Sequence, residues 1–406
     1  MTEQFDLIVI GGGVIGSASA RAALLDNPRL KVLQIEREPQ LAMHQSGRNS
    51  GVVHVGFNQK PGTIKAKFVV EGSKRLRAYC REHAVPLVED GIVVVARNEH
   101  ELSVVEELHR RGTENGAAVE IISQQRLAEL EPHAPSQGGL FAPGGASFDA
   151  RSFVQALSAE VVTMGGQLSC GETALEVEEQ SGYVEVRTNR RTLRASAIVN
   201  AGGLDADRIA HQMSVGTGFQ IVPFRGEYHQ LRPERSALVR AHVYAPPDLN
   251  FPFLGVHFSK TFDGHVTIGP GAVLAMGRTA YTPARINLRD MKDMFGFPGF
   301  WRMFKQKEFR QMAAREWKKS LFKYAVYQEA LQLIPEVQYS DLVPYRSGIR
   351  AQLVNSDGQM VDDLVVEKTD RSVHVLNAVS PALTCSLPFA DYIVSVLQGK
   401  LPCLKN

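Results

Sequence analysis

The 406-residue chain lacks the features that mark a membrane span, a metal scaffold or a nucleic-acid binder. Its four cysteines, Cys80, Cys170, Cys385 and Cys403, are widely scattered and form no C-x-x-C pair. That leaves zinc and redox-disulfide readings without support, so no metal site is expected, and scattered thiols suit a reducing cytoplasm. No apolar run approaches the roughly 18 residues of a transmembrane helix. The formal charge of +2 is too small an excess for general nucleic-acid binding. The first residues lead straight into a nucleotide-binding pattern, which leaves no room for a signal peptide and points to a cytoplasmic protein. Hydrophobic residues at 44% and charged residues at 22% are those of a soluble globular chain. The length makes two domains the default.

The strongest pattern lies in the first forty residues. Phe5 to Ile10 has the size of a buried strand and runs into Gly11-Gly12-Gly13-Val14-Ile15-Gly16. This matches G-x-G-x-x-G. Helix-compatible residues follow to Leu25, and a second apolar run, Val32 to Ile35, ends at Glu36. Each part has a physical task in a β-α-β dinucleotide site. Gly11 makes the tight turn, Gly13 lets the backbone reach a pyrophosphate, and Gly16 lets the helix pack on the strand. The helix N-terminus offers N–H groups to phosphate oxygens. Glu36, about twenty residues on, is placed for the ribose hydroxyls, which favours FAD or NAD over NADP. A lone glycine motif marks an ordinary turn as often as a site; here strand, glycines, helix, strand and acid stand in register.

Further along, His44 to Gly56 is small, polar and glycine-rich before turning apolar. It suits a segment that brings N–H groups and hydroxyls to a cofactor. Thr63 to Glu82, Glu99 to Asn115 and Ala150 to Met164 read as helices, and Gln167 to Leu193 alternates like short antiparallel strands. A strand then ends in Asn200-Ala201-Gly202-Gly203, a second place for close backbone approach. Phe224 to Leu231 and Phe253 to Phe258 read as strands of a second sheet. Ser380 to Ser386 leads into a helix from Leu387 to Leu397. Met291 to Leu333 reads as helical and unusually basic: Arg302, Lys305, Lys307, Arg310, Arg315, Lys318, Lys319 and Lys323 outnumber Glu308 and Glu316, with aromatic residues interleaved.

Several of these stretches together resemble the FAD-dependent L-2-hydroxyglutarate dehydrogenase/oxidase family of the D-amino-acid-oxidase-like group. They are His44 to Gly56, Pro61 to Lys67, Phe224 to Leu231, Phe253 to Phe258, Arg346 to Gln352 with Asp357 to Val365, and His374 to Ser386. Val199 to Gly203 resembles the group's second flavin motif. Asn58-Gln59 and Leu387-Pro388-Phe389 depart from the family pattern and leave room for a related substrate. The resemblance implies an α/β fold with a discontinuous Rossmann-like FAD-binding domain (residues 1–84, 146–216 and 340–406). An inserted mixed-sheet α+β substrate domain would hold residues 85–145 and 217–339. The expected cofactor contacts are Gly11, Gly13, Val14, Ile15, Gly16, Glu36 and Arg37 in the first unit. Gln45, Ser46, Asn49, Ser50 and Gly51 follow, then Val177, Ala201, Gly202, Leu383 and Thr384.

Oxidation of a 2-hydroxy acid needs a proton acceptor for the hydroxyl and cations for the carboxylates. His54 and His257, each shortly after a glycine in apolar sequence, are the histidines suited to the first task. A satisfied structural histidine is the bland reading of each. Arg350 resembles the Gly-x-Arg element that meets the substrate carboxylate in amino-acid-oxidase-like enzymes. Arg225, with Tyr228 on the same strand, is the candidate for a distal carboxylate; a salt bridge is its plain alternative. A flavin-dependent amine or amino-acid oxidase and a flavin-bound redox sensor are the competing functions. The basic, aromatic 291–333 segment suits peripheral contact with the inner face of the membrane, where a quinone could accept electrons in place of oxygen. Its alternatives are a subunit interface or the protein's own core.

Overall fold

Glu3–Ile10 is the spine of the first sheet. The computed structural model describes residues 3–247 and 255–400. Glu3–Ile10 pairs in parallel with Thr192–Asn200 on one side and Val32–Glu36 on the other. Gln167–Cys170 extends the sheet beyond Val32–Glu36, and Ser372–Asn377 pairs in parallel with Thr192–Asn200. An antiparallel hairpin, Ala174–Glu179 and Val184–Thr188, joins the other part of Thr192–Asn200. Strands far apart in sequence therefore build one Rossmann-type α/β sheet. Leu7, Ile8 and Val9 are fully buried on it, each stabilising by about 1.5–3 kcal/mol through removal of apolar surface from water.

The turn after Glu3–Ile10 works through its glycines. Gly11 has φ +121°, and a Cβ there would stand 2.3 Å from the Ala201 carbonyl oxygen. A Cβ on Gly16 would stand 2.0 Å from the Gly11 carbonyl. These distances admit only hydrogen, so helix Val14–Asp26 seats tightly against the strand ends. Gln34, fully buried, donates from Nε2 to Gly11 O at 3.0 Å and to Ser17 Oγ at 3.0 Å. It braces the turn from below.

The second sheet is mixed. Its order runs Val273–Leu274, Phe219–Leu231, Val266–Gly269, His257–Lys260, His242–Tyr244, Ile92–Ala96, Gly138–Ala142, Glu120–Ser123. Leu342–Asn355 lies antiparallel along Phe219–Leu231. That strand belongs to this sheet by hydrogen bonding, although its residues fall in the 340–406 stretch expected with the cofactor unit. A small third sheet of Val52–Val53, Ala146–Phe148 and Leu87–Val88 lies beside it.

The expected 291–333 helix is four helices, Leu288–Gly296, Pro298–Lys305, Lys307–Leu321 and Lys323–Leu333. Pro298 opens the second, where a missing N–H costs nothing. The final helix is Ala382–Lys400, starting earlier than its composition suggested and carrying Pro388 inside it. It packs closely on Ile64–Glu82, since a Cβ on Gly72 would stand 2.1 Å from the Thr384 carbonyl. Among the described residues, no helix is long and apolar enough to cross a membrane.

Candidate active site

A cavity of about 850 Å³ lies between the two large sheets. Its lining begins at the glycine turn. Gly11, Gly13, Val14 and Ile15 form one wall, and the N-terminus of helix Val14–Asp26 opens onto it. The Val14 N–H donates to Ser46 Oγ at 2.9 Å. Glu36 is held rigidly: its Oε2 accepts the Gly12 N–H at 2.6 Å and its Oε1 accepts the Glu38 N–H at 2.8 Å. Arg37 pairs with Asp205 and lies 3.0 Å from His44 Nε2. Asn49 organises the neighbouring loop, donating from Nδ2 to Gln45 O and Ser46 O and accepting the Gly51 N–H at 2.8 Å. Asn200 accepts the Gly202 N–H at 3.1 Å and thereby shapes the second glycine-rich approach. The start of the last helix closes this region with Leu383 and Thr384.

The same cavity continues to the second sheet, where it meets Tyr228, His257 and Arg350, and to His54 on the loop after Val52–Val53. The His54 backbone N–H donates to Thr384 Oγ1 at 3.2 Å, tying two stretches that lie 330 positions apart. Burial pushes both imidazoles down, each to about 4, so both are neutral near pH 7. His257 Nδ1 lies 2.9 Å from the Gly255 carbonyl oxygen. A carbonyl can only accept, so Nδ1 carries the proton and Nε2 keeps its lone pair. Burial lowers Arg350 from its usual range, with Tyr228 and Glu316 opposing the shift; burial raises Tyr228, and Arg350 opposes that. A cation, a phenol and two neutral imidazoles thus face one space.

The cavity fits a dinucleotide. Its volume lies in the upper part of the roughly 300–1,000 Å³ range of ligand pockets. Glycines stand where a Cβ would crowd the wall: at Gly13 it would lie 3.0 Å from Ser46 Oγ. A family model for FAD-dependent oxidoreductases matches residues 6–395. This chain belongs to that family of FAD-dependent oxidoreductases. A mitochondrial L-2-hydroxyglutarate dehydrogenase of Nematostella vectensis is 36% identical over 413 residues, covering 97% of this chain and 90% of that protein. The L-2-hydroxyglutarate dehydrogenase of Escherichia coli strain K12 is 34% identical over 404 residues, covering 99% and 95%. Among solved structures, the dithionite-reduced L-α-glycerophosphate oxidase of Mycoplasma pneumoniae with FAD bound has a TM-score of 0.77 at 22% identity, covering 98% of this chain and 95% of that one. Glycine oxidase from Geobacillus kaustophilus reaches 0.70 at 18% identity, covering 98% and 95%. At such identities the structural likeness speaks to the fold alone.

In this oxidoreductase most of the sequence-derived candidates line the one cavity. Four do not. Gly16 sits behind the wall, where its work is helix–strand contact. Gly51 turns at φ +68° against the Phe148 carbonyl, also behind the wall. The Val177 side chain is buried in a separate apolar cluster with Val184 and Val186, and its N–H donates to Gln212 Oε1 at 2.7 Å. The cavity reaches Thr173, Ala174, Leu175 and Gln212 in its place. Arg225 is buried, lines no part of the cavity, and pairs with Glu227. The family stretch Phe253 to Phe258 is covered only in part, because Phe253 and Leu254 lie outside the described residues. Sequence reading missed Arg48, Lys65 and Pro270, all on the cavity wall. Lys65 had a signal: it lies in the Pro61 to Lys67 stretch, and its Nζ meets Asp362 at 2.9 Å.

Proposed function

We propose that this oxidoreductase oxidises an L-2-hydroxy acid to the 2-oxo acid, with L-2-hydroxyglutarate as the first substrate to test. One observation carries the reading: His257, with Nε2 free to accept a proton, and Arg350 face the cavity that also holds the glycine turn. The names of the 33–36% identical relatives support the substrate. The division into a cofactor unit and a substrate unit is part of the same proposal, with ligands meeting at their junction.

The cofactor would be held by Gly11, Gly13, the Val14 helix start and Ser46, with Glu36 for its ribose and Ala201, Gly202, Leu383 and Thr384 along the other wall. When bound, FAD supplies the acceptor for the α-hydrogen and its two electrons. The chain's own residues do the rest. Arg350 meets a substrate carboxylate through a charge-assisted pair, and Tyr228 beside it contributes a hydroxyl. His257 Nε2 takes the hydroxyl proton, its ring held by the Gly255 carbonyl. His54, neutral and also on the cavity wall, orients the hydroxyl and is the alternative acceptor. The low-dielectric walls strengthen these contacts relative to water.

For the electron acceptor we assign a quinone reached at a membrane surface. The support is the face of the four-helix segment. Trp301, Trp317, Leu321 and Phe322 are exposed alongside Arg302, Arg310 and Lys318, while Phe300, Met303, Phe309 and Met312 pack into a core with Phe224. Interfacial helices combine apolar and basic residues in this way.

The deciding experiment is anaerobic bleaching of the holoenzyme with a panel of 2-hydroxy and amino acids. L-2-Hydroxyglutarate should bleach the flavin and its D-enantiomer should not. Bleaching by amino acids alone would replace the reading with an amino-acid oxidase. Bleaching by neither would leave a redox sensor.

A further inference from the structure

The face of the second sheet that meets the cavity carries a polar block extending behind His257. The antiparallel register of Val243 with Phe258 sets His242 opposite Ser259 and Tyr244 opposite His257. All four side chains are buried. The Tyr244 and His257 rings lie 4.3 Å apart between centroids. Neither His242 ring nitrogen, nor the Tyr244 hydroxyl, nor Ser259 Oγ closes a hydrogen bond within normal limits among the described residues. The groups nevertheless stand close: Tyr244 approaches Ser259, and His242 approaches the Ala146 backbone. Buried polar atoms seldom stay unanswered, and a small side-chain rotation or a water completes such bonds.

The block has two ends. One is the cavity, through His257. The other lies by the surface. The His242 backbone N–H donates to Gly91 O at 3.1 Å, which puts its strand one residue from Asp90. Asp90 accepts from Ser147 Oγ at 3.4 Å and from Lys260 Nζ at 3.3 Å, and the Lys260 side chain is 28% exposed. The titratable groups that bear on His242 are His54, His257 and Lys260.

We propose that His242, with Tyr244 and Ser259, is the route by which the hydroxyl proton taken up at His257 leaves the site for the Asp90–Lys260 pair and solvent. This rests on the reading of the site as a 2-hydroxy-acid oxidase. Each turnover breaks one C–H and one O–H bond and forms the second carbon–oxygen bond of the carbonyl. The C–H hydrogen and its electron pair are the cofactor's share. The O–H hydrogen leaves as a proton, and the histidine must lose it before the next substrate. Burial makes His257 a neutral acceptor, and the same burial makes its protonated form costly. With cofactor and substrate in the cavity, the polar block behind His257 offers an exit through the sheet.

The test is anaerobic stopped-flow of the holoenzyme with L-2-hydroxyglutarate in weak buffer containing a pH-indicator dye. Flavin bleaching and proton appearance are followed together. In the wild type the two should coincide. In His242→Phe, proton appearance should lag bleaching by about ten-fold or more, the size of a lost proton-transfer partner, with substrate affinity unchanged. Asp90→Asn should lag in the same sense. A merely structural role would alter flavin content or affinity without separating the two signals. Coincident signals in both variants overturn the relay. Should His242→Phe fail to retain flavin, Ser259→Ala and Asp90→Asn decide, and coincidence in both again overturns it. If no 2-hydroxy acid bleaches the wild type, the site reading falls and the relay with it. If one does and the variants show no lag, only the relay falls.

Discussion

Arg225 and Glu227 hold each other, Nη2 to Oε1 at 2.7 Å, on the side of their strand turned away from the cavity. Gly226 and Tyr228, between and beside them, face it. Arg225→Leu should therefore leave KM for the substrate unchanged and lower stability by about 1–3 kcal/mol, because Glu227 loses its partner at a largely buried position. Denaturant unfolding and steady-state kinetics on the same preparation check this. A raised KM with unchanged stability would return Arg225 to the substrate.

Arg350→Leu should behave in the opposite way. A charge-assisted contact in a dry site contributes about 1.5–3 kcal/mol, so kcat/KM should fall roughly ten- to hundred-fold. Flavin content should stay near wild type. Unchanged kinetics in a flavin-replete variant would remove Arg350 from the site.

The pH profile of flavin reduction should carry an acid limb near 4. Burial holds both cavity histidines at about 4, and only the neutral ring accepts a proton. Second-order reduction rates should rise as pH increases through about 4 and stay flat to neutrality. His257→Gln should slow reduction far more than it weakens substrate binding. His54→Ala, compared at the same pH, decides which ring is the acceptor: the larger loss in kcat marks it.

Stability should also fall in acid. His54, His257 and His374 are pushed to about 4 and His242 to about 3, in each case by burial. Their unfolded value is about 6.5. Between the two values the unfolded chain binds more protons, so acid favours unfolding. The contribution is fully present above about 6.5 and is lost as pH falls towards 4. The denaturant midpoint should drop across that window, and less steeply in His374→Asn. A midpoint constant over that window would contradict the burial of these rings.

Vesicle co-sedimentation tests the helical face. Binding to anionic vesicles should appear at low salt, weaken at high salt, and be absent with neutral vesicles. Lys318→Glu with Arg310→Glu should reduce it. Lys319 is the wrong residue to change, although it stands beside Lys318 in sequence. It is buried and bonded to Glu316 at 2.5 Å. Recovery in the supernatant under every condition would assign the electrons to a soluble acceptor, most simply oxygen.

The amino-acid sequence by itself determined the cofactor unit. Strand, glycines, helix and Glu36 are local, and each glycine answers to a contact within a few residues or to one backbone crossing. It also singled out His54 and His257, which stand out after a glycine in apolar sequence, while Arg350 is named through its likeness to the family's Gly-x-Arg element. Arg225 and Tyr228 are both expected at the substrate, but residues three apart on a regular strand point to opposite faces, and only Tyr228 lines the cavity. Which face meets the cavity is not a local property. It follows from how Phe219–Leu231 pairs with Leu342–Asn355, including the irregularity between Glu227 and His229. The same holds for Val177, whose direction depends on the hairpin packing against helix Ala206–Gln212, and for Lys319, hidden by Glu316 and Glu329. His242 carries no signal in its own neighbourhood. It became a candidate only when the register of two short strands set it beside Ser259, behind His257, with two ring nitrogens unanswered. Contacts between distant stretches set direction and neighbourhood, and those are decided by tertiary packing.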